Sequence, residues 1–229
     1  MRRALHVLRL GARTLGELLI TAGVVILLFV AYELWITNLY TNREQTHLRQ
    51  AIEAQWHHPV PVVRQQHATL VDPPLGDGLA ILRIPRLGRS YLKVIVEGVD
   101  HEDLKRGPGH YPGTALPGQI GNFVVSGHRT TYGEPFNRLA ELRLGDAIVI
   151  ETRADFYTYD VSSIEIVDPT DMAVIAPVPD QPGAVPKVAM LTFTTCNPEY
   201  SARQRLVVHG RLVNAVAKST GLLPPALGG

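Results

Sequence analysis

The chain has 229 residues, of which 45% are hydrophobic and 19% charged, and its formal net charge at pH 7 is +1. This length suffices for one globular domain plus a non-globular part. A near-neutral charge does not indicate the clustered basic face that binds nucleic acid, so we expect no nucleic-acid partner. The single cysteine excludes a disulfide framework and every multi-cysteine zinc site, and neither His-x-x-x-His nor Cys-x-x-Cys occurs. We therefore expect no metal ion and no cofactor.

The N-terminal part of the chain has the pattern of a membrane anchor. Residues 1–17 form a basic segment rich in arginine, and residues 18–36 form an almost unbroken apolar run. As a helix this run spans roughly 28 Å, which matches a bilayer core of about 30 Å. It ends in an aromatic belt that a cleavable signal peptide lacks, formed by Tyr32, Trp35 and Tyr40. This exit predicts an uncleaved, single-pass anchor in the cell membrane, and the basic flank predicts a cytoplasmic N-terminus with the rest of the chain outside.

Residues 37–78 are predicted to form a helical stalk followed by a proline-rich linker. Leu48, Ile52 and Trp56 recur every four residues among charged and amide residues, which is the stripe of an amphipathic helix. The stripe can pack on the following domain, on a second copy of the chain or on the membrane surface, and all three remain open. Prolines at positions 59, 61, 73 and 74 then indicate an extended linker that ends near Gly78.

Residues 79–215 consist of short stretches with β character, separated by turns. The predicted strands are Leu79–Ile84, Tyr91–Glu97, Asn122–Ser126, Ala147–Thr152, Phe156–Val167, Val188–Thr195 and Arg205–Val213. Two short helices are predicted around Glu102–Arg106 and Phe136–Leu142. Many short strands with few helices indicate an all-β barrel or sandwich. The tail at 216–229 has little to pack and is predicted to be disordered.

The only cysteine, Cys196, lies at the end of a predicted strand. Asn197 and Pro198 must end this strand, because a proline has no amide hydrogen to give to a ladder. A strand end can present a side chain to a ligand while a rigid scaffold holds its position. An unpaired cysteine in an exported protein indicates an intermolecular partner or a reactive thiol. Arg203 and Arg205 follow on the returning strand and make the surroundings electropositive, which favours the nucleophilic thiolate.

The segment around the cysteine resembles the sortase signature Thr-Leu-x-Thr-Cys, with Thr192-Phe193-Thr194-Thr195-Cys196 in those places. Arg205 then opens the apolar run Leu206-Val207-Val208, as the arginine of the family does. Phe193 stands where the family usually has leucine, which exchanges one apolar residue for another.

The segment around His128 resembles the sortase histidine segment, in which a strand is followed by Gly-His and a threonine-rich loop. The resemblance implies a closed, mostly antiparallel, eight-stranded β-barrel with short helices over about 79–213. It also implies the catalytic residues. Attack on an amide needs a nucleophile, a proton for the departing amine and stabilisation of the oxyanion. Cys196, His128 and Arg205 would supply these in turn.

A further stretch resembles class E sortases, the housekeeping type of high-GC actinobacteria. Residues 110–118 read His-Tyr-Pro-Gly-Thr-Ala-Leu-Pro-Gly and resemble a loop in which a tyrosine at the place of Tyr111 distinguishes that class. We expect Tyr111 to contact substrate, together with Thr194, Thr195 and Arg203.

The resemblance implies transpeptidation at the outer face of the membrane. Cys196 would cleave a Leu-Ala-x-Thr-Gly-like sorting signal of secreted proteins between Thr and Gly, form a thioacyl intermediate and pass it to an amine of a cell-wall peptide. One alternative is a pilin-polymerising sortase whose acceptor is a protein lysine. An Asp-Pro-aromatic lid upstream of the barrel would favour it, but Asp72-Pro73-Pro74 has no aromatic residue. Another alternative is an inactive barrel that acts as a surface binding protein.

Overall fold

The N-terminal part of the chain is one long helix, α1 (Arg2–Ala31), in the computed structural model, which describes residues 2–32, 37–57 and 73–228. Within α1, Gly11–Ala31 is long and apolar enough to cross a membrane, and none of its most apolar window is buried against the rest of the chain. This stretch overlaps the predicted anchor at 18–36. The last four residues of that anchor and the linker residues 58–72 lie outside the described residues.

Eight strands close into a barrel. They are β1 (Gly78–Arg83), β2 (Leu92–Glu97), β3 (Gly109–His110), β4 (Gly121–Ser126), β5 (Ala147–Glu151), β6 (Asp155–Val167), β7 (Ala189–Asn197) and β8 (Gln204–Ala217). Around the barrel the order is β1-β2-β3-β4-β7-β8-β6-β5, and β5 pairs with β1. The β2–β3 and β4–β7 pairs are parallel, and the other neighbouring strands are antiparallel. The predicted closed, eight-stranded and mostly antiparallel barrel is confirmed.

The strand that the sequence does not predict is β3. It has two residues, too few for a recognisable pattern, and its pairing comes from its neighbours: Gly109 lies opposite Val96 of β2 and Ser126 of β4. The first predicted helix is α3 (His101–Arg106), which begins after a capping box formed by Asp100 and Asp103. The second is a 3-10 helix at Asn137–Glu141.

Apolar side chains alternate into the barrel and form its core. On β4 and β7 the inward side chains are Phe123, Val125, Leu191 and Phe193. Because successive side chains of a strand alternate, the residues between them face the opposite side of the sheet. Part of this outer face is covered by the connection between β6 and β7, where Asn122 donates hydrogen bonds to the carbonyls of Val174 (3.4 Å) and Ala176 (3.0 Å). One end of this covered face becomes the candidate site.

The stalk is helix α2 (Thr37–His57), and its apolar stripe packs on the barrel. Leu48 and Ile52 are 6% and 3% exposed and join a cluster with Ile81, Val94 and Val96 of β1 and β2. The structure therefore selects the following domain as the partner of the stripe. Burial of these side chains against the two strands removes apolar surface from water and stabilises the contact.

The C-terminal tail differs from the disordered segment that the sequence predicts. Residues 216 and 217 extend β8 beside β6, a 3-10 turn follows at Lys218–Thr220, and Pro225–Gly228 forms a short helix, α4. Lys218 fixes the start of this tail, because its Nζ lies 2.7 Å from the carboxylate of Glu151 and 4.0 Å from the ring centroid of Trp56. These two partners lie in β5 and α2, which are distant from the tail in the sequence, so the tail sequence alone does not predict the contacts.

Candidate active site

The register of three strands brings the predicted catalytic residues to one end of the barrel. Ser126 of β4 lies opposite Thr194 of the parallel strand β7, so the carboxyl ends of both strands reach the same edge. His128 follows Ser126 by two residues, and Cys196 follows Thr194 by two. The antiparallel strand β8 places Arg205 directly opposite Cys196. Three residues that are far apart in the chain thus end beside one another.

The pairing of β7 with β8 distinguishes the two arginines. Directly opposite residues of an antiparallel pair have Cβ atoms about 4.5–5.5 Å apart and share a face, so the side chain of Arg205 begins beside Cys196. Its Nη1 donates to the carbonyls of Ala202 and Gln204, both at 3.1 Å. Arg203 is exposed and lies in the bend before β8, outside the paired residues. The residue held beside the thiol is therefore Arg205.

His128 is half-buried and packs against another ring. Its ring centroid lies 5.0 Å from that of Tyr132, which lies 6.1 Å from the ring of His101. Burial, and then the charge of His101, hold the pKa of His128 below its ordinary value, because both disfavour the imidazolium form. Its Nε2 is buried and forms no hydrogen bond with the described part of the chain. An imidazole at the same end of the barrel as Cys196 can exchange a proton with a thiol or an amine.

Arg129 is a site residue that the sequence analysis misses. It is only 9% exposed. Its Nη1 donates to the carbonyl of Cys196 at 3.0 Å and to Oδ1 of Asn197 at 2.7 Å, and so holds the backbone at the end of β7. The sequence feature that could identify Arg129 as a site residue is its position directly after His128, in the segment that resembles sortases. Sequence alone does not show that this arginine, too, reaches the cysteine strand.

A cleft of about 270 Å³ opens beside these residues. Cys196, His128 and Arg205 all line it. So do three of the four residues predicted to bind substrate, namely Tyr111, Thr194 and Thr195. Arg203, the fourth, is not in its walls. The opposite wall comes from the start of the connection between β6 and β7, with apolar side chains that include Met172, Val174 and Ile175.

Hydrogen bonds to the backbone connect the walls of this cleft. Thr195 is buried and its hydroxyl donates to the carbonyl of Gly127 at 2.8 Å, which ties β7 to the residue before His128. The amide of Tyr111 donates to the carbonyl of Val124 at 2.9 Å.

A larger cavity, of about 520 Å³, lies between the turn Pro85–Leu87 and α4, and none of the predicted site residues lines it.

A separate polar group links β6, β8 and the connection that covers the cleft. Glu165, Asp180 and His209 bring their nitrogen and oxygen atoms within 4.8 Å of one another. Nε2 of His209 lies 2.9 Å from Glu165, and Nδ1 lies 2.9 Å from the hydroxyl of Thr192. The hydroxyl of Thr192 donates its hydrogen to Oδ1 of Asn122, so the same hydroxyl oxygen accepts a hydrogen bond from Nδ1 of His209. Both ring nitrogens of His209 thus have protein partners, which accounts for the group as a structural network, and the absence of a metal stays a prediction.

A closed mixed barrel with cysteine, histidine and arginine at one end defines a class of protein. The family model described as the sortase domain matches residues 82–213, which is more than half of the chain. The chain belongs to the sortase family, whose members are cysteine transpeptidases.

Among its relatives are class E sortases of Streptomyces, to which the chain is homologous. Sortase SrtE1 of Streptomyces coelicolor is 35% identical over 219 residues, which cover 92% of this chain and 60% of the relative, so the chain spans less than two thirds of that protein. Sortase SrtE2 of the same organism is 30% identical over 98% of this chain and 90% of the relative. The crystal structure of sortase E1 from Streptomyces coelicolor with a tripeptide in the active site has 38% identity and a TM-score of 0.61, covering 66% of this chain and 97% of that one.

Proposed function

We propose that this sortase cleaves a Leu-Ala-x-Thr-Gly-like sorting signal between Thr and Gly and attaches the released acyl group to an amine of a cell-wall peptide. The observation that carries the proposal is the arrangement of Cys196, His128 and Arg205 around one cleft at the end of the barrel. The tripeptide in the active site of the related sortase E1 supports a peptide as the ligand of this cleft.

In the proposed reaction, Sγ of Cys196 attacks the threonine carbonyl carbon of the signal, and the guanidinium of Arg205 stabilises the oxyanion that forms. The C–N bond then breaks, and the imidazolium of His128 gives a proton to the departing glycine amine, which leaves a thioacyl intermediate. The acceptor amine attacks the thioester, gives a proton to His128 and releases Cys196. Burial lowers the pKa of His128 and so disfavours the imidazolium form that donates a proton to the departing amine.

The proposed location is the outer face of the cell membrane. The apolar stretch Gly11–Ala31 supports a single-pass anchor, and the arginines before it support a cytoplasmic N-terminus. The barrel then meets secreted proteins that carry the sorting signal, together with the amine groups of cell-wall peptides.

The test uses the full chain in detergent, with Leu-Ala-x-Thr-Gly and Leu-Pro-x-Thr-Gly peptides and an amine acceptor. We expect cleavage after threonine, a ligated product, a faster reaction of the alanine-containing signal, and an acyl adduct on Cys196 that hydroxylamine removes. Cys196→Ala should fold and have no turnover. Cys196→Ser should be nearly inactive, because a hydroxyl has too high a pKa to ionise here.

Full turnover by the Cys196→Ala variant would contradict the proposed nucleophile. Equal rates on the two peptides would contradict the proposed signal. Transfer to a protein lysine in preference to a cell-wall amine would establish the pilin-polymerising alternative instead.

A further inference from the structure

The loop that follows His128 contacts the stalk helix. We call residues 128–136 the histidine loop. Its base is closed by a hydrogen bond from the amide of Phe136 to the carbonyl of His128 (3.1 Å). At its tip, Tyr132, Gly133 and Glu134 have φ angles of 50°, 72° and 39°. Left-handed backbone at a residue other than glycine costs about 1–3 kcal/mol and persists only where surrounding contacts impose it. The tip therefore depends on contacts from outside the loop.

Asn38 of α2 supplies contacts of this kind. Its Oδ1 accepts from the amide of Gly133 at 2.8 Å, and its Nδ2 donates to the carboxylate of Glu134 at 3.1 Å. Only one orientation of the asparagine amide satisfies both partners, so the pair of bonds fixes the tip in position and direction. Thr41, one helical turn further on, lies so close to Gly133 that an added Cβ would come within 2.9 Å of its methyl group. The tip is therefore pressed against the helix.

The helix is itself held firmly at the level of these contacts. Gln45 bonds twice to the backbone of Val94 in β2, accepting at 2.7 Å and donating at 3.0 Å. The hydroxyl of Thr41 donates to the carbonyl of Lys105 in α3 at 2.6 Å. Together with the buried side chains of Leu48 and Ile52, these bonds make α2 a fixed support for the histidine loop.

The loop transmits this support to His128 through Tyr132. The two ring centroids are 5.0 Å apart with an interplanar angle of 43°. On other sides of Tyr132, Nζ of Lys105 lies 6.0 Å from its centroid, and the ring of His101 meets it edge to face. Because Nε2 of His128 has no hydrogen bond within the described residues, no bond at this nitrogen orients the imidazole. Packing against Tyr132 then becomes a principal constraint on the ring.

We propose that Asn38 and Tyr132 are positioning residues for His128. The stalk helix holds the histidine loop through Asn38, and the loop holds Tyr132 against the imidazole. The proposal rests on the proposed function in one respect, namely that His128 exchanges the proton of the reaction. Its consequence is that the stalk next to the membrane anchor is part of the active site, and that a barrel without this helix lacks a support for its histidine.

The test compares Asn38→Ala with Gln50→Ala in the full chain in detergent, since Gln50 lies on the same helix and is exposed. Diethylpyrocarbonate modifies accessible neutral imidazoles, and peptide mass spectrometry reports each histidine separately. We expect Asn38→Ala to increase the modification rate of His128 several-fold and to leave buried His209 unchanged. On peptide substrate we expect kcat to fall about tenfold or more with little change in KM, since a displacement of about 1 Å can cost 10²-fold.

Tyr132 provides the second arm of the test. Tyr132→Ala should reproduce the effects of Asn38→Ala, and Tyr132→Phe, which keeps the ring, should restore both readouts. Unchanged modification of His128 in both alanine variants would overturn the proposal. A loss of Tm with a parallel change at buried His209 would also overturn it, because that pattern indicates general unfolding. If His128 responds as expected while the wild-type chain transfers no peptide, the positioning role stands and the proposed function fails.

Discussion

Replacement of Arg205 tests the register of β7 and β8 and the proposed mechanism together. In the structure Arg205 lies directly opposite Cys196, and Arg203 lies in the exposed bend before the strand. Arg203 therefore lacks the strand pairing that holds Arg205 beside the thiol. An oxyanion accepts donors at about 2.7–3.1 Å. We therefore expect only one of the two side chains to reach it.

The expected magnitudes follow from these positions. Loss of one oxyanion donor costs about 10² to 10³ in rate, or about 2.7–4 kcal/mol. Arg205→Ala should lose at least that factor in kcat/KM. Arg205→Lys should recover only part of it, because a point charge does not reproduce the planar fork of the guanidinium. Arg203→Ala should lose about tenfold or less, because an exposed charge screened by water contributes about 0–1 kcal/mol.

The assay is kcat/KM for the three variants on one peptide, with folding checked by circular dichroism. This check is needed because Arg205 also donates to the carbonyls of Ala202 and Gln204, and each lost bond costs about 1 kcal/mol of stability. An inactive Arg203→Ala beside a mild Arg205→Ala would refute the reasoning from strand register. The roles of Cys196 and His128 would remain.

Two further predictions concern the pH dependence and the topology. His101→Gln removes a charge that lowers the pKa of His128, so this pKa should rise. The acid limb of the pH profile of kcat/KM should then move to higher pH. An unmoved acid limb would show that the charge of His101 does not act on His128. Protease added to intact protoplasts should remove the barrel domain, because the arginines before the apolar stretch of α1 predict a cytoplasmic N-terminus. Survival of that domain would refute the predicted orientation.

The local pattern of apolar, β-branched and turn-forming residues in the sequence predicts most strands and helices of the fold. The β-branched and apolar runs predicted strands that overlap all the observed ones except β3, and Asn197-Pro198 predicted the end of β7, which the structure places at Asn197. The motifs around Cys196 and His128 indicate the family from the sequence alone. These features can be predicted from the sequence because strand propensity, turn chemistry and short motifs depend on neighbouring residues.

Only the tertiary structure decided which elements meet. The spacing of Leu48 and Ile52 predicts an amphipathic helix, whereas the tertiary structure sets its partner, which is the surface of β1 and β2. The choice between Arg203 and Arg205 required the register of β8 against β7, and the place of Arg129 required β4 beside β7. A sequence pattern encodes the face that an element buries, whereas the partner of that face is set by packing among residues distant in the chain.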